Sequence, residues 1–437
     1  MRTDPLNIVI LGLSVTSSWG NGHATTYRGL IRGLASRGHR ILFLERDVPW
    51  YAENRDQPCM SEARIQLYRD VPDLLARFEG EVGRAHLVIV GSFVPEGIRV
   101  GEWVTSVAKG ITAFYDIDTP VTLARLEAGE CDYLSRQLIP RFGFYLSFTG
   151  GPILGRLERS YSAAMSRVLY CSVDPSQYYP ERREHRWDLG YLGTYSADRQ
   201  PALERLLLDP ARRLPAGSFA VAGPMYPPGI RWPENVERIT HLAPARHRRF
   251  YASQRFTLNV TRAGMVAAGY SPSVRLFEAG ACGVPIISDR WDGIETLFQP
   301  DREILLADSA HDVLRYLLDT SEEDRASMGA RARAAILTAH TPQCRAMQLE
   351  RYYREAYDNL FAHTARRNGR SRKLHNGAPS GNPPQRRRPA AGVAAGPEAG
   401  GSASPCDLQQ PAGTGRGDSG ADRPLAGSAG SAERCGK

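Results

Sequence analysis

Residues 269–289 read GYSPSVRLFEAGACGVPIISD, and this stretch decides the architecture. Ser271, Pro272 and Ser273 supply N-cap and first-turn chemistry, so a helix starts there. It is expected over 274–282, through Phe277 and Ala281, and Gly283 stops it. An apolar strand, 285–288 (PIIS), follows. The small residues at 279–283 let the helix lie close on a sheet. Its N-terminus offers unpaired N–H groups and a positive dipole end to phosphate. The dipole disfavours a cation in the first turn, so Arg275 there points to an anionic partner. Glu278, three residues on, shares its face and can accept hydrogen bonds from ribose hydroxyls. Arg275 and Glu278 can equally pair with each other.

Outward from this segment, short apolar runs alternate with helical patterns. Strands are expected at 189–193, 219–222, 236–242, 256–260, 285–288 and 303–306. Helices are expected at 200–208, 245–253, 274–282, 310–319 and 322–339. The preceding half repeats the alternation without repeating the sequence. Its strands are 7–13 (NIVILGL), 40–45, 86–92, 111–116 (ITAFYD), 144–148 and 168–171. Several are apolar on both faces, as strands of a covered parallel sheet must be. A helix near 24–37 joins the first two, and Gly38 ends it. The fold class is therefore α/β, with two doubly wound parallel-sheet domains at 1–174 and 188–340 and a linker at 175–187. Thr341 and Pro342 open an amphipathic helix to about residue 363, whose buried side is Met347, Leu349, Tyr352, Tyr353, Ala356, Leu360 and Phe361.

The last stretch, 365–437, is different in kind. Residues 366–437 hold 14 Gly and 8 Pro and no Phe, Trp or Tyr. Such a chain cannot bury enough apolar surface to offset its ordering entropy, so it is expected to be disordered. It also carries +7 of the net charge of +8. The body is thus almost neutral, which argues against a dedicated nucleic-acid binder. The seven cysteines form no metal-ligand pattern, and reduced thiols in a cytoplasmic protein are expected. No apolar run reaches the ~18–20 residues of a membrane span. The run 8–13 reads as a first strand rather than a signal peptide.

Three further loops follow strand ends, where ligands bind open α/β sheets. In SVTSSWGNGHA (14–24), Gly20 and Gly22 let backbone approach a ligand. His23, at the helix start, can donate to a substrate or simply cap the turn. The spacing is not that of a dinucleotide fingerprint. In YDIDTPVT (115–122), strand alternation points Asp116 and Asp118 to one side, as ligands for hydroxyls or as base and electrostatic partner. Asp118 or Thr119 can also cap the next helix, with Pro120 in its first turn. In SFTGG (147–151), Gly150 and Gly151 either admit a ligand to the backbone or make a plain turn.

These residues resemble the GT-B glycosyltransferases, and most closely the CgeB-type, spore-maturation-like family. YDIDTPVTLARL, YLSFTGG, YCSVDPSQYYP, YLGTYSADRQPALERLL and GYSPSVRLFEAGACG carry the resemblance, which spans about residues 5–360. It implies two Rossmann-like domains facing across a cleft, a final helix crossing back to the first, and a nucleotide-sugar donor held by the second. It implies transfer to an acceptor (glycan, protein or small molecule) with retention of anomeric configuration. No metal or other cofactor is expected, since arginine and the helix end can do what a divalent ion does elsewhere. Glu278 matches the ribose-binding glutamate, while Tyr270 stands where the family places a second glutamate beside the donor sugar. Arg199 and Arg262 are the candidates for a diphosphate clamp, with Tyr270, Ser271, Ser273 and Arg275 on the donor side. His23, Asp116 and Asp118 then face the acceptor. Two other readings use the same residues: a non-hydrolysing nucleotide-sugar epimerase, or a catalytically silent module that binds a nucleotide or glycan.

Overall fold

Apolar residues on both faces make β1 (Asn7–Gly12) a central strand, and the computed structural model, which describes residues 4–19 and 22–375, shows it as one. β2 (Arg40–Arg46), β3 (Arg64–Tyr68), β4 (Leu87–Gly91), β5 (Ile111–Asp116), β6 (Phe144–Ser147) and β7 (Ser166–Val168) complete the first sheet. The order is 3-2-1-4-5-6-7 and every pairing is parallel. Ile8 lies opposite Ile41 on one side and Leu87 on the other. The second sheet is built from β8 (Trp187–Leu192), β9 (Phe219–Ala222), β10 (Val236–Ile239), β11 (Gln254–Asn259), β12 (Ile286–Ser288) and β13 (Leu305–Leu306). Its order is 10-9-8-11-12-13, again all parallel. Strand order reverses between β1 and β4 and between β8 and β11, which makes those two places the crevices of the sheets.

β3 escapes a reading by apolar runs. It is an edge strand, RIQLY, exposed or half-buried except at Tyr68, so it needs no continuous apolar run. Residues 175–186 contain neither helix nor strand.

The closing helix, Pro342–His375, starts as expected, with the Thr341 hydroxyl accepting the Cys344 N–H (3.3 Å). It crosses back to the first domain. The Arg345 guanidinium donates to the carbonyls of Tyr170 and Cys171 (2.9 and 3.0 Å), and the Tyr352 hydroxyl to that of Val168 (3.1 Å). Glu350, 2% exposed, takes Arg37 (Nη2, 2.8 Å) and His39 (Nε2, 3.0 Å). Leu6 N–H donates to the other ring nitrogen of His39, so the proton sits on Nε2. The first helix, His23–Ser36, can come this close because residue 33 is glycine: a Cβ there would lie 2.1 Å from the Pro342 carbonyl oxygen.

Two features differ from expectation. Leu349, Tyr352, Tyr353 and Ala356 are buried, but Met347 and Leu360 are 54% and 53% exposed, because they lie off the stripe that meets the first domain. The Phe361 side chain lies outside the described residues. The helix also continues ten residues past Ala365, into sequence whose Arg, Lys and Leu favour helix. Residues 376–437, the rest of the tail expected to be disordered, lie outside the described residues.

Candidate functional site

The loop after β1 is held from beneath by a buried carboxylate. Glu45, at the end of β2, accepts the N–H groups of Val15 (2.6 Å) and Thr16 (3.0 Å) and both neighbouring hydroxyls. Asp56 grips the next residues, accepting Ser18 N–H (2.8 Å) and a bidentate pair from Arg28 (2.8 and 2.9 Å). Arg28 and Ser18 outweigh the upward push of burial and hold the Asp56 carboxyl down at about 2.

That loop delivers the chain to Gly22, which starts the first helix with no side-chain cap. Gly20 lies outside the described residues. His23 is only 6% exposed, with the Phe93 ring edge-on at 5.5 Å. Its Nε2 is 3.7 Å from Asp118 Oδ2, while its Nδ1 has no partner among the described residues. Burial pushes the Asp118 carboxyl upward. His23, Arg262 and Arg199 together outweigh that push and leave Asp118 below the usual carboxylate range.

Asp116 is a correction to the expected pair. β5 ends at Asp116 and residue 118 is no longer extended (φ −125°, ψ 53°), so strand alternation does not carry across the pair. Asp116 is fully buried and accepts the Tyr145 hydroxyl (2.5 Å), the Thr122 hydroxyl (2.7 Å) and the Asp118 N–H (3.3 Å). It positions the turn rather than meeting a substrate. Burial pushes its carboxyl up to about 6 despite those bonds. A raised carboxyl stabilises the fold below its unfolded value, near 4, and that contribution is lost as pH rises through about 6. Stability should fall over this window by on the order of 2–3 kcal/mol. Asp116→Asn should flatten the fall, read by denaturant unfolding at pH 4 and pH 7.

The second domain contributes the helix Val274–Ala281, capped at Ser273 without a side-chain bond to its N–H groups. The Ser273 hydroxyl instead donates to Asn259 Oδ1 (2.7 Å), and buried Ser271 bonds Thr149 of the first domain (2.9 Å). Arg275 is 7% exposed and lies 4.5 Å over the Tyr191 ring. It donates to the Leu192 carbonyl (2.5 Å) and Asn259 Oδ1 (2.7 Å). It therefore ties the ends of β8 and β11 together at their crevice. Its hydrogen bonds thus go to these neutral acceptors and not to Glu278.

Glu278 has other partners. Tyr178 donates to Oε1 (2.9 Å), Tyr251 to Oε2 (3.0 Å), and His247 Nδ1 lies 3.5 Å away. Burial pushes its carboxyl up, but His247 and the two phenols outweigh that and keep it low. Sequence reading missed all three partners. His247 and Tyr251 share one face of the helix Pro244–Ala252, and nothing local says what that face meets.

Tyr270 explains the glycine pair of the first domain. Its backbone is left-handed (φ 49°), and its ring fills the gap between Gly151 and Gly293. Gly150 N–H donates to its carbonyl (2.9 Å), as does the Tyr170 hydroxyl (3.2 Å). Gly150 and Gly151 thus seat Tyr270, a packing role that the turn reading allowed. A Cβ on Gly151 would lie 2.3 Å from that ring, at φ +62°. Gly151→Ala should cost about 2 kcal/mol or more, seen as a fall of several degrees in melting temperature.

These elements converge at the carboxyl ends of both sheets. A Cβ on Gly22 would meet the Val274 side chain at 3.7 Å, so two helix N-termini face each other. Beside them stand His23 and Asp118 from one domain and Arg199 and Arg262 from the other. Arg199 donates from Nη2 to the Thr194 carbonyl (2.8 Å), while its buried Nε has no partner among the described residues. Arg262 is 40% exposed, 3.5 Å from Asp198. The Trp19 and His241 rings meet across the domains at 4.5 Å, a contact no motif announced. Among the described residues no group of three or more His, Cys, Asp and Glu could hold a metal ion, and no helix is long and apolar enough to cross a membrane.

Two parallel sheets, a crossing-back helix and a site where their carboxyl ends meet define the GT-B fold, that of a large class of glycosyltransferases. Residues 199–351 match a family model described as glycosyl transferase-like. No curated protein matches the chain by sequence. Among solved structures, the chain is similar to sucrose-phosphate synthase from Thermosynechococcus elongatus, at 14% identity and TM-score 0.62, over 81% of this chain and 100% of that one. It is similar to HepE of Anabaena, solved with UDP and glucose, at 12% identity and TM-score 0.60, over 80% and 100%. The catalytic domain of starch synthase IV from Arabidopsis thaliana, bound to ADP and acarbose, matches at 10% identity and TM-score 0.57, over 81% and 99%.

Proposed function

We propose that the chain is a glycosyltransferase of the CgeB type, moving a sugar from a nucleotide-sugar donor to an acceptor hydroxyl without a metal. The observation that carries this reading is the meeting of two uncapped helix N-termini with Arg199, Arg262 and the His23–Asp118 pair. Helix N–H groups and guanidinium groups there would hold the donor diphosphate and take up the charge it gains on leaving. Glu278, oriented by Tyr178 and Tyr251, would accept the ribose hydroxyls. Tyr270 lies where the donor sugar would end. His23, oriented through Nε2 by Asp118, would use Nδ1 to accept a hydrogen bond from the acceptor hydroxyl. In the retaining course that the resemblance implies, the acceptor oxygen bonds to the anomeric carbon as the diphosphate leaves from the same face. The hydroxyl proton passes to His23 Nδ1, whose imidazolium is then paired with Asp118, while the diphosphate leaves with its charge held by the helix N–H and guanidinium groups.

The solved structures named above support the donor class, since HepE was solved with UDP and glucose and starch synthase IV with ADP. Calorimetric titration with UDP, ADP and GDP should find at least one binder, and the matching nucleotide-sugar should release diphosphate faster with acceptor than without. Acceptor-independent epimerisation, or binding of no nucleotide, would overturn the reading.

A further inference from the structure

After β2 the chain takes residues 47–63 to reach β3, with one short helix, Pro49–Ala52, on the way. Long connections at the carboxyl rim of a sheet are where such folds place binding groups. This one is rigidly fixed to the loop that leads to His23. The Ser17 hydroxyl donates to the Asn54 carbonyl (2.7 Å), Gln57 N–H to that of Thr16 (3.1 Å), and Arg55 Nε to the Thr16 hydroxyl (3.3 Å). Asn54 Nδ2 in turn donates to the Trp50 carbonyl (2.9 Å). On this fixed segment the Trp50 side chain faces solvent, 59% exposed. Glu53 and Asp47 are exposed beside it in the chain.

An indole held in water contributes little to folding, and its backbone is already fixed, so a ligand stacking on it has only the side chain left to order. Glu53, at the end of the same short helix, and the Asp47–Arg55 ion pair (2.5 Å) make its surroundings polar. A pyranose offers a C–H face to the ring and hydroxyls to these charged groups. A purely apolar ligand would strip water from Glu53 and from the Asp47–Arg55 pair without replacing it.

We propose that Trp50 is the stacking platform of the acceptor site and that the acceptor presents a pyranose ring to it. This rests on the glycosyltransferase reading above. The test uses the full chain, with UDP, ADP or GDP bound, titrated calorimetrically with a panel of free sugars that includes maltose, cellobiose, lactose and their N-acetylated counterparts. At least one should bind saturably. Trp50→Ala should weaken that binding about tenfold or more, and Trp50→Phe should keep it within about threefold. Nucleotide affinity should be the same in all three proteins. Unchanged sugar affinity in Trp50→Ala overturns the proposal, as does nucleotide binding by the wild type with no sugar binding. Failure of the wild type to bind any nucleotide falls on the glycosyltransferase reading itself and removes this proposal with it.

Discussion

His23→Ala is expected to lower kcat for sugar transfer on the order of 10²-fold or more while leaving nucleoside-diphosphate affinity within about twofold. The reasoning is geometric. His23 opens the first helix, its Nε2 faces Asp118 at 3.7 Å, and buried Nδ1 has no partner among the described residues. A buried ring nitrogen left unpaired is costly unless something fills it, and an acceptor hydroxyl does so in the proposed complex. Removing it frees the acceptor oxygen from its place against the anomeric carbon, and misplacement of about 1 Å is enough for a loss of that size. Asp118→Asn should produce a smaller fall of the same kind, because it disturbs only the orientation of His23. Single-turnover rates and a diphosphate titration on each variant check both statements. A His23→Ala enzyme with unchanged kcat would place the acceptor elsewhere.

Glu278→Ala is expected to harm both stability and binding, and Glu278→Gln separates the two. Tyr178 is 7% exposed and Tyr251 not at all. Each loses its acceptor in the alanine variant, at about 1–3 kcal/mol per buried hydroxyl, so melting should fall by several degrees. Glutamine keeps a carbonyl oxygen for one phenol, and its amide can donate to the other, so that variant should melt close to wild type. It nevertheless loses the charge-assisted bonds to ribose that the proposed function assigns to Glu278, worth roughly 1.5–3 kcal/mol, which is about tenfold or more in affinity. Calorimetry with the preferred nucleoside diphosphate, beside thermal unfolding, reads both. Equal dissociation constants for wild type and Glu278→Gln would leave this carboxylate a purely structural role between Tyr178, Tyr251 and His247.

Much of the site's address was legible in the chain. Strand-end loops carry His23, Asp118, Arg199 and Arg262, and the structure brings all four to one place. What those residues touch was not legible. Asp116 and Asp118 sit two apart and were expected to act together, but the chain leaves extended geometry between them. Arg275 read as an anion ligand or as the partner of Glu278, and its hydrogen bonds tie two strand ends without reaching Glu278. Gly150 and Gly151 read as a ligand loop or a plain turn, and they seat the ring of Tyr270, which lies more than a hundred positions away in sequence.

The sequence alone determined most of the strands and their α/β layering. Helices at 310–319 and 322–339 and strands at 111–116 and 219–222 have the bounds that apolar periodicity and capping residues predict. The reason is that covered parallel strands must be apolar throughout, and helix ends must satisfy their own backbone groups locally. Tertiary structure decided the partners. Tyr178 reaches Glu278 across 100 residues and Thr149 reaches Ser271 across 122. Such bonds exist only once two separately folded sheets meet, so no local pattern encodes them. The same holds for exposure on the last helix, where docking against β7 and the first helix selects Leu349 and Tyr352 for burial and leaves Met347 in water.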